Sequence, residues 1–103
     1  MTQFITGLTA AEMERLALLA EECAEVGQAV CKILRHGYAS SNPFLEITIT
    51  NRSSLEKEIG HLANAVNTLI AAGDVDEINI DVAEQSKQAS IGRWLHFQEP
   101  KRC

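Results

Sequence analysis

The sequence has no surplus of positive charge. Its 9 Lys and Arg stand against 14 Asp and Glu, a formal net charge of −5 at pH 7. Without basic residues to displace counterions, neither a nucleic acid nor an anionic membrane is expected as the main partner. A phosphate compound stays open to such a chain when a divalent cation stands between the like charges. Cysteine is sparse too. Cys23, Cys31 and Cys103 show neither C-x-x-C spacing nor an even-numbered framework, which argues against a disulfide scaffold. Cys23 and Cys31 are expected to pack as small apolar residues of a helix. No apolar run approaches the ~18–20 residues that span a bilayer. The opening MTQFITGLTAAEME has no basic segment leading into a continuous apolar one. These absences predict a cytoplasmic chain with reduced thiols and no membrane partner. Internal repeats, low-complexity tracts, a Gly-rich phosphate loop, H-E-x-x-H and Ser or Cys nucleophile signatures are missing as well.

What is present is helical periodicity. The 103 residues are expected to form a single domain, residues 1–103, of the all-α class. A domain this short buries only roughly 60–70% of its unfolded surface, so association with copies of itself is expected. The first of three main helices is predicted from about Thr9, where Thr9 and Glu12 spell a capping box, to His36. Gly37 then supplies a left-handed stop. Leu16, Leu19, Ala20, Cys23, Gly27, Val30 and Leu34 share one face, the expected core stripe. A second face carries Leu18, Glu22, Glu25 and Ala29, flanked by Val26 and Ile33. A helix apolar on more than one side needs neighbours on more than one side, and a three-helix chain must draw some from another subunit.

The second helix is predicted from Ser53 or Ser54, with a Ser53–Glu56 capping box, to Gly73. Leu55, Ile59, Leu62, Val66, Leu69 and Ile70 form its core stripe. Glu58, His61, Ala65, Thr68 and Ala72 lie along one border of that stripe, where the small residues let a neighbouring helix come close. The third is predicted from Val75 to His96 with weaker periodicity, and Gly92 sits near its end. Residues 37–53 form a break rich in Gly, Ser, Asn and Pro. Within it FLEITIT alternates in strand fashion but has no partner strand, so an ordered loop is expected.

Two pairs carry the chemistry. Glu22 and Glu25 are helix neighbours, where like charges repel by a few tenths of a kcal/mol. A solvated acidic edge is the bland reading, but Leu18, Val26, Ala29 and Ile33 do not make a solvated face. Carboxylates placed there are expensive unless a cation compensates. Facing helices that pool carboxylates are how bundles hold divalent ions. Glu58 and His61 repeat the three-residue spacing on the next helix. Alone they are an ordinary polar pair; beside the first pair they are candidates for the other half of one metal site. Glu21 is adjacent but points about 100° away. Lys32, Arg35 and His36 follow by two to three turns, either as phosphate contacts or as cations favoured at a helix C-terminus. Lys87 and Arg93 are similar in kind, and Asn51-Arg52 is either a substrate contact or turn chemistry.

With those residues in hand, the sequence resembles the MazG-like branch of the all-α nucleoside triphosphate pyrophosphohydrolases. That family carries E-E-x-x-E on one helix and E-x-x-D on the next. The first motif stands here as EECAE, Glu21, Glu22 and Glu25; the second appears as EIGH, Glu58 to His61, within LEKEIGHLANAV. KILRHGY, the NR before the second helix, AAGDVDEI and RWLHFQ are also similar to short phage-like or mobile-element members. The likeness covers about residues 10 to 98. It implies a helical bundle assembled as a homodimer or homotetramer. It also implies Mg²⁺-dependent cleavage of an NTP or dNTP to the monophosphate and pyrophosphate, in the service of nucleotide-pool house-cleaning. Glu22, Glu25 and Glu58 carry over as metal ligands, Glu25 and Glu21 as catalytic groups, and Lys32, Arg35, Asn51 and Lys87 as substrate contacts. His61 stands where the family has Asp. As a ligand it favours Mn²⁺ or another transition ion over Mg²⁺.

Two other classes compete. A non-catalytic nucleotide-binding or interaction protein would keep the fold after losing a ligand, and would bind nucleotide without turnover. A di-iron carboxylate bundle uses Glu-x-x-His on two helices, and this chain has one such motif.

Overall fold

Helix termini leave four N–H and four C=O groups without partners, and the sequence supplies caps for them. In the computed structural model, which describes residues 5–44 and 48–98, three helices follow one another: α1 (Ala10–His36), α2 (Asn51–Ala72) and α3 (Glu77–Ser90), then a 3₁₀ turn over Ile91–Arg93. α1 opens on the expected box. Glu12 N donates to Thr9 Oγ1 at 3.1 Å while Thr9 N donates to Glu12 Oε1 at 2.9 Å. It closes at Gly37, whose N–H donates to the Ile33 carbonyl at 2.7 Å. Gly37 has φ +88 but ψ 166, so the chain leaves extended rather than in the left-handed helical conformation expected.

α2 starts earlier than its own Ser53–Glu56 pattern suggests. Thr50 is the cap, its Oγ1 accepting from Ser53 N at 3.1 Å. The loop satisfies the next two donors, Asn51 N to the Ser40 carbonyl and Arg52 N to the Tyr38 carbonyl, both at 2.9 Å. Those tertiary bonds extend the helix beyond what local capping chemistry specifies. Thr50 also bridges antiparallel to Ser41, and Arg52 lies 4.9 Å over the Tyr38 ring. The loop is therefore ordered where it meets α2; residues 45–47 of the alternating FLEITIT, like Cys103, lie outside the described residues. α2 ends as expected at Gly73, in the left-handed conformation, with Asp74 N donating to the Leu69 carbonyl at 3.0 Å. α3 is shorter than the predicted Val75–His96. It begins after Asp76, which caps Ile78 N at 2.8 Å, and gives way to the 3₁₀ turn around Gly92.

α1 and α2 form an antiparallel hairpin tied at both ends. At the open end Arg15 grips Asp74 with two bonds, Nε to Oδ2 at 2.5 Å and Nη2 to Oδ1 at 3.0 Å. At the loop end Asn51 Nδ2 donates to the Gly37 carbonyl at 3.1 Å. The buried hydrophobic residues among those described are small or few: Ala29, Ala65 and Leu69. This corrects the expected face of α1. Apart from the half-buried Leu19, the predicted stripe points outward, Leu16 being 42% and Leu34 79% exposed. The face carrying Glu22, Glu25, Val26, Ala29 and Ile33 packs on α2 instead. Both faces are apolar enough to be a core. The border of α2 decided between them, since Ala65 allows the closer contact. On α2 the expected stripe is largely inward, except Ile59, which is exposed.

α3 packs along neither helix, and no residue of it is buried. The accessible surface is 8995 Å² and the Cα radius of gyration 18.2 Å. A folded monomer of this length ordinarily has about 5,700 Å² and about 13 Å. Among the described residues no helix is long and apolar enough to cross a membrane.

The Arg15 guanidinium holds the Asp74 carboxyl below its usual range. A depressed folded pKa contributes stability above the unfolded value, and that stability is lost as pH falls through the folded one. Asp74→Asn is therefore expected to lower the melting temperature at neutral pH. The gap from the parent should close as acid protonates Asp74, as read by circular dichroism melts between about pH 7 and pH 2. A gap of constant size would show that the charge is not what matters.

Candidate metal centre

Three-residue spacing puts Glu22 beside Glu25 on α1 and Glu58 beside His61 on α2. Because Ala29 and Ala65 bring the helices close, the two pairs meet. One ligand atom from each of the four residues lies within 4.8 Å of the other three. Glu22, Glu25 and Glu58 are half-buried; His61 is at the rim, its side chain 53% exposed. His61 Nδ1 is 3.5 Å from Glu58 Oε2 and 3.8 Å from Glu22 Oε2, an ion-pair distance too long for a hydrogen bond. Those two carboxylate oxygens are buried and have no hydrogen-bond partner.

The electrostatics follow from the crowding. The Glu25 carboxyl is pushed above the ordinary carboxylate range, first by a hydrogen bond shared with Glu58 and then by that residue's charge. Desolvation, Glu22 and Glu21 push the same way. Like charges this close oppose one another's ionisation, which is why the Glu25 carboxyl holds its proton more strongly than a free one. The cluster as built fits a divalent cation. It offers carboxylate oxygens with no other partner, net negative charge, and one imidazole nitrogen.

Beside the cluster a cleft of about 450 Å³ is lined by Glu25, Lys32, Ser54, Lys57, Glu58 and His61, among others. A second, of about 440 Å³, is lined by Lys32, Arg35, His36, Asn51 and the loop from Ser40 to Pro43. Lys32 borders both. Lys32, Arg35 and Asn51 thus lie on the loop side of the acidic cluster. Glu21 is exposed beside Glu22 and acts on the cluster through its charge. Lys87 is not among them. It sits on α3 with Nζ 5.9 Å from the Trp94 ring centroid. Lys57, missed in the sequence, has its Nζ 3.7 Å from Glu58 Oε1. Its signal was a cation next in chain to a candidate ligand.

No family model matches the chain, and no curated protein or solved structure matches it.

A carboxyl whose folded pKa is raised removes stability once it ionises, so the penalty grows as pH rises through that range. Glu25→Gln is expected to melt above the parent at about pH 8 and to converge with it below about pH 4. Calorimetric titration with Mn²⁺ should show affinity weakening as pH falls, because a proton competes with the metal for the Glu25 carboxylate. Glu25→Gln should weaken that binding at least ~10-fold, having lost one ligand charge.

Proposed function

We propose that the chain is a divalent-metal-dependent nucleoside triphosphate pyrophosphohydrolase, converting an NTP or dNTP to its monophosphate and pyrophosphate. The observation that carries this reading is the adjacency of the four-donor cluster to the cleft lined by Lys32, Arg35 and Asn51. The EECAE and EIGH motifs that resemble the MazG-like family supply the four residues of that cluster, Glu21 lying outside it. A metal alone would explain the acids; a phosphate ester held across the metal explains the cations beyond them.

Glu22, Glu25, Glu58 and His61 would hold the ion. When bound, a divalent cation supplies charge neutralisation and Lewis acidity at the phosphate. The remaining work belongs to the chain. Lys32 and Arg35 bind phosphate oxygens as point and forked donors respectively. Glu25, whose carboxyl its neighbours make more basic, would take a proton from the attacking water, with exposed Glu21 acting on it through charge alone. Asn51 donates its amide to the Gly37 carbonyl and so holds the loop that closes the far cleft. Lys87 reaches substrate only if α3 of another copy delivers it, consistent with action as a homodimer or homotetramer.

One observation favours the non-catalytic alternative, a nucleotide-binding protein: His61 is a rim residue, and it stands where the pattern that the sequence resembles has Asp. A hard Mg²⁺ ion prefers oxygen ligands and is held less well with one charge removed. The decisive experiment is a panel of NTPs and dNTPs with Mg²⁺ or Mn²⁺, assayed for pyrophosphate. Turnover is expected, faster with Mn²⁺, and Glu25→Gln should reduce it by at least ~100-fold. His61→Asp should raise the Mg²⁺-dependent rate about tenfold, ~1.4 kcal/mol of transition-state stabilisation. Nucleotide binding without pyrophosphate release by parent or His61→Asp would replace this reading with the alternative.

A further inference from the structure

The cations at the loop end of the hairpin extend farther than a triphosphate needs. Glu25, Lys32 and His36 lie within about 20° of one line along α1. Glu58, Ser54 and Asn51 lie within about 40° of one line along α2. Between those lines the cleft at the cluster and the cleft at the loop meet at Lys32, which lines both. Arg35 and His36 line only the far one.

The far cleft has the chemistry of an anion site. Its basic side chains share about 440 Å³ with Ser40, Ser41 and Asn42 of the loop, and no carboxylate is among the described residues that line it. The chain as a whole carries 14 acidic residues against 9 Lys and Arg, so this is a local reversal of charge. The loop wall is fixed. Ser41 bridges to Thr50, Asn51 Nδ2 donates to the Gly37 carbonyl at 3.1 Å, and Asn42 Oδ1 accepts from Phe44 N at 2.9 Å. A helix C-terminus favours cations in its last turn, which covers Arg35 and His36. It leaves Lys32 and the loop donors unexplained.

Distance selects the ligand. Lys32 follows Glu25 by about 10 Å along the axis, Arg35 by about 15 Å and His36 by about 16.5 Å. Attack at an α-phosphorus puts that atom at the cluster. Each phosphoanhydride link is shorter than the ~3.8 Å step between Cα atoms, so a γ-phosphorus lies within about 7.6 Å of the α. Lys32 meets such a tail. Arg35 and His36 meet a phosphate farther along the same chain. The acidic surplus disfavours a nucleic acid as its source, which leaves a small nucleotide.

We propose that the preferred substrate is a nucleoside bearing a chain of four or more phosphates, with the phosphate beyond γ held by Arg35, His36 and the loop. This substrate class rests on the reading of the cluster as the place of attack; triphosphates are the poorer substrates. The water oxygen bonds to the α-phosphorus and one water proton passes to Glu25. The α–β bridging bond breaks, and its electron pair leaves on the β-phosphate oxygen. A nucleoside tetraphosphate then yields the monophosphate and inorganic triphosphate. A dinucleoside tetraphosphate yields the monophosphate and a triphosphate.

The probes are adenosine 5′-triphosphate, adenosine 5′-tetraphosphate, diadenosine tetraphosphate and adenosine 5′-triphosphate 3′-phosphate, each with Mn²⁺, the products being separated by ion exchange. One or both tetraphosphates should exceed the triphosphate in kcat/KM at least about tenfold, the effect of one added charge-assisted contact. Which of them gains identifies the source of the chain. Arg35→Gln should bring the ratio close to one. Calorimetry on Glu25→Gln protein at saturating Mn²⁺ reads binding apart from turnover, and should give the same order of preference. Triphosphate cleavage with no gain for either tetraphosphate overturns the proposal and leaves the pyrophosphohydrolase reading standing. Tighter tetraphosphate binding with no nucleotide cleaved keeps the ligand of the far cleft and removes that reading. A gain that survives Arg35→Gln, or an equal gain from the 3′-phosphate, also overturns the proposal. Should Arg35→Gln fail to fold, the parent ratios and His36→Gln decide.

Discussion

The distance between α1 and α2 is the constraint on which the rest of the hairpin depends. Ala65 is fully buried and Ala29 nearly so, which lets the two backbones close together. Ala29 lies four residues after Glu25, and Ala65 four residues after His61, one turn away on the same faces. The alanines therefore set how near the four polar side chains must come. Two methyl groups offer little apolar area, roughly 25 cal/mol per Å², so this contact positions more than it stabilises. The crowding of three carboxylates opposes it. A cation bound at that point adds its binding free energy to the folded state, so metal occupancy and helix packing are linked quantities.

With a repulsive centre, the hairpin depends on its two ends. Arg15 and Asp74 form a bidentate pair at the open end. At the loop end Asn51 and Arg52 donate backbone and side-chain bonds into the segment from Gly37 to Ser40. Clamps at both ends fix the register of α2 along α1, and register decides whether Glu58 meets Glu25 or slides past it. The first two N–H groups of α2 are already taken by loop carbonyls. The N-terminus of α2 is thus not a bare anion site, and the basic side chains lining the cleft beside the loop are those of Lys32, Arg35 and His36.

What the sequence made legible was local. The Thr9–Glu12 box, the Gly73 stop and the pairing of Glu22 with Glu25 and Glu58 with His61 all follow from spacing within one turn. What it hid was the choice between equivalent options. α1 is apolar on two sides, and amphipathic periodicity cannot say which side meets α2 and which remains open. The start of α2 was misplaced because Ser53–Glu56 and Thr50 are both competent caps, and loop carbonyls distant in sequence favour Thr50. Arg15 and Asp74 are separated by 59 residues, and nothing near either marks the other as its partner. α3 was overextended because Ile91, Trp94 and Leu95 continue a helical spacing that the backbone around Gly92 does not keep.

The placement of lysine explains why the centre stays chemically open. Lys57 reaches Glu58 Oε1, the outer oxygen, and its side chain is 63% exposed. Lys32 lines the cleft beside Glu25 and Glu58. Neither ammonium reaches the buried oxygens, Glu22 Oε2 and Glu58 Oε2, which have no partner. A lysine reaching inward would neutralise the cluster permanently and leave it inert. Rim lysines instead offset part of the cluster's negative potential while leaving the inner oxygens free for an ion. His61 offers the cluster a nitrogen donor where a fourth carboxylate would add one more negative charge. Three carboxylates with one imidazole hold a hard cation less well than four carboxylates would, and repel one another less when the cluster is empty.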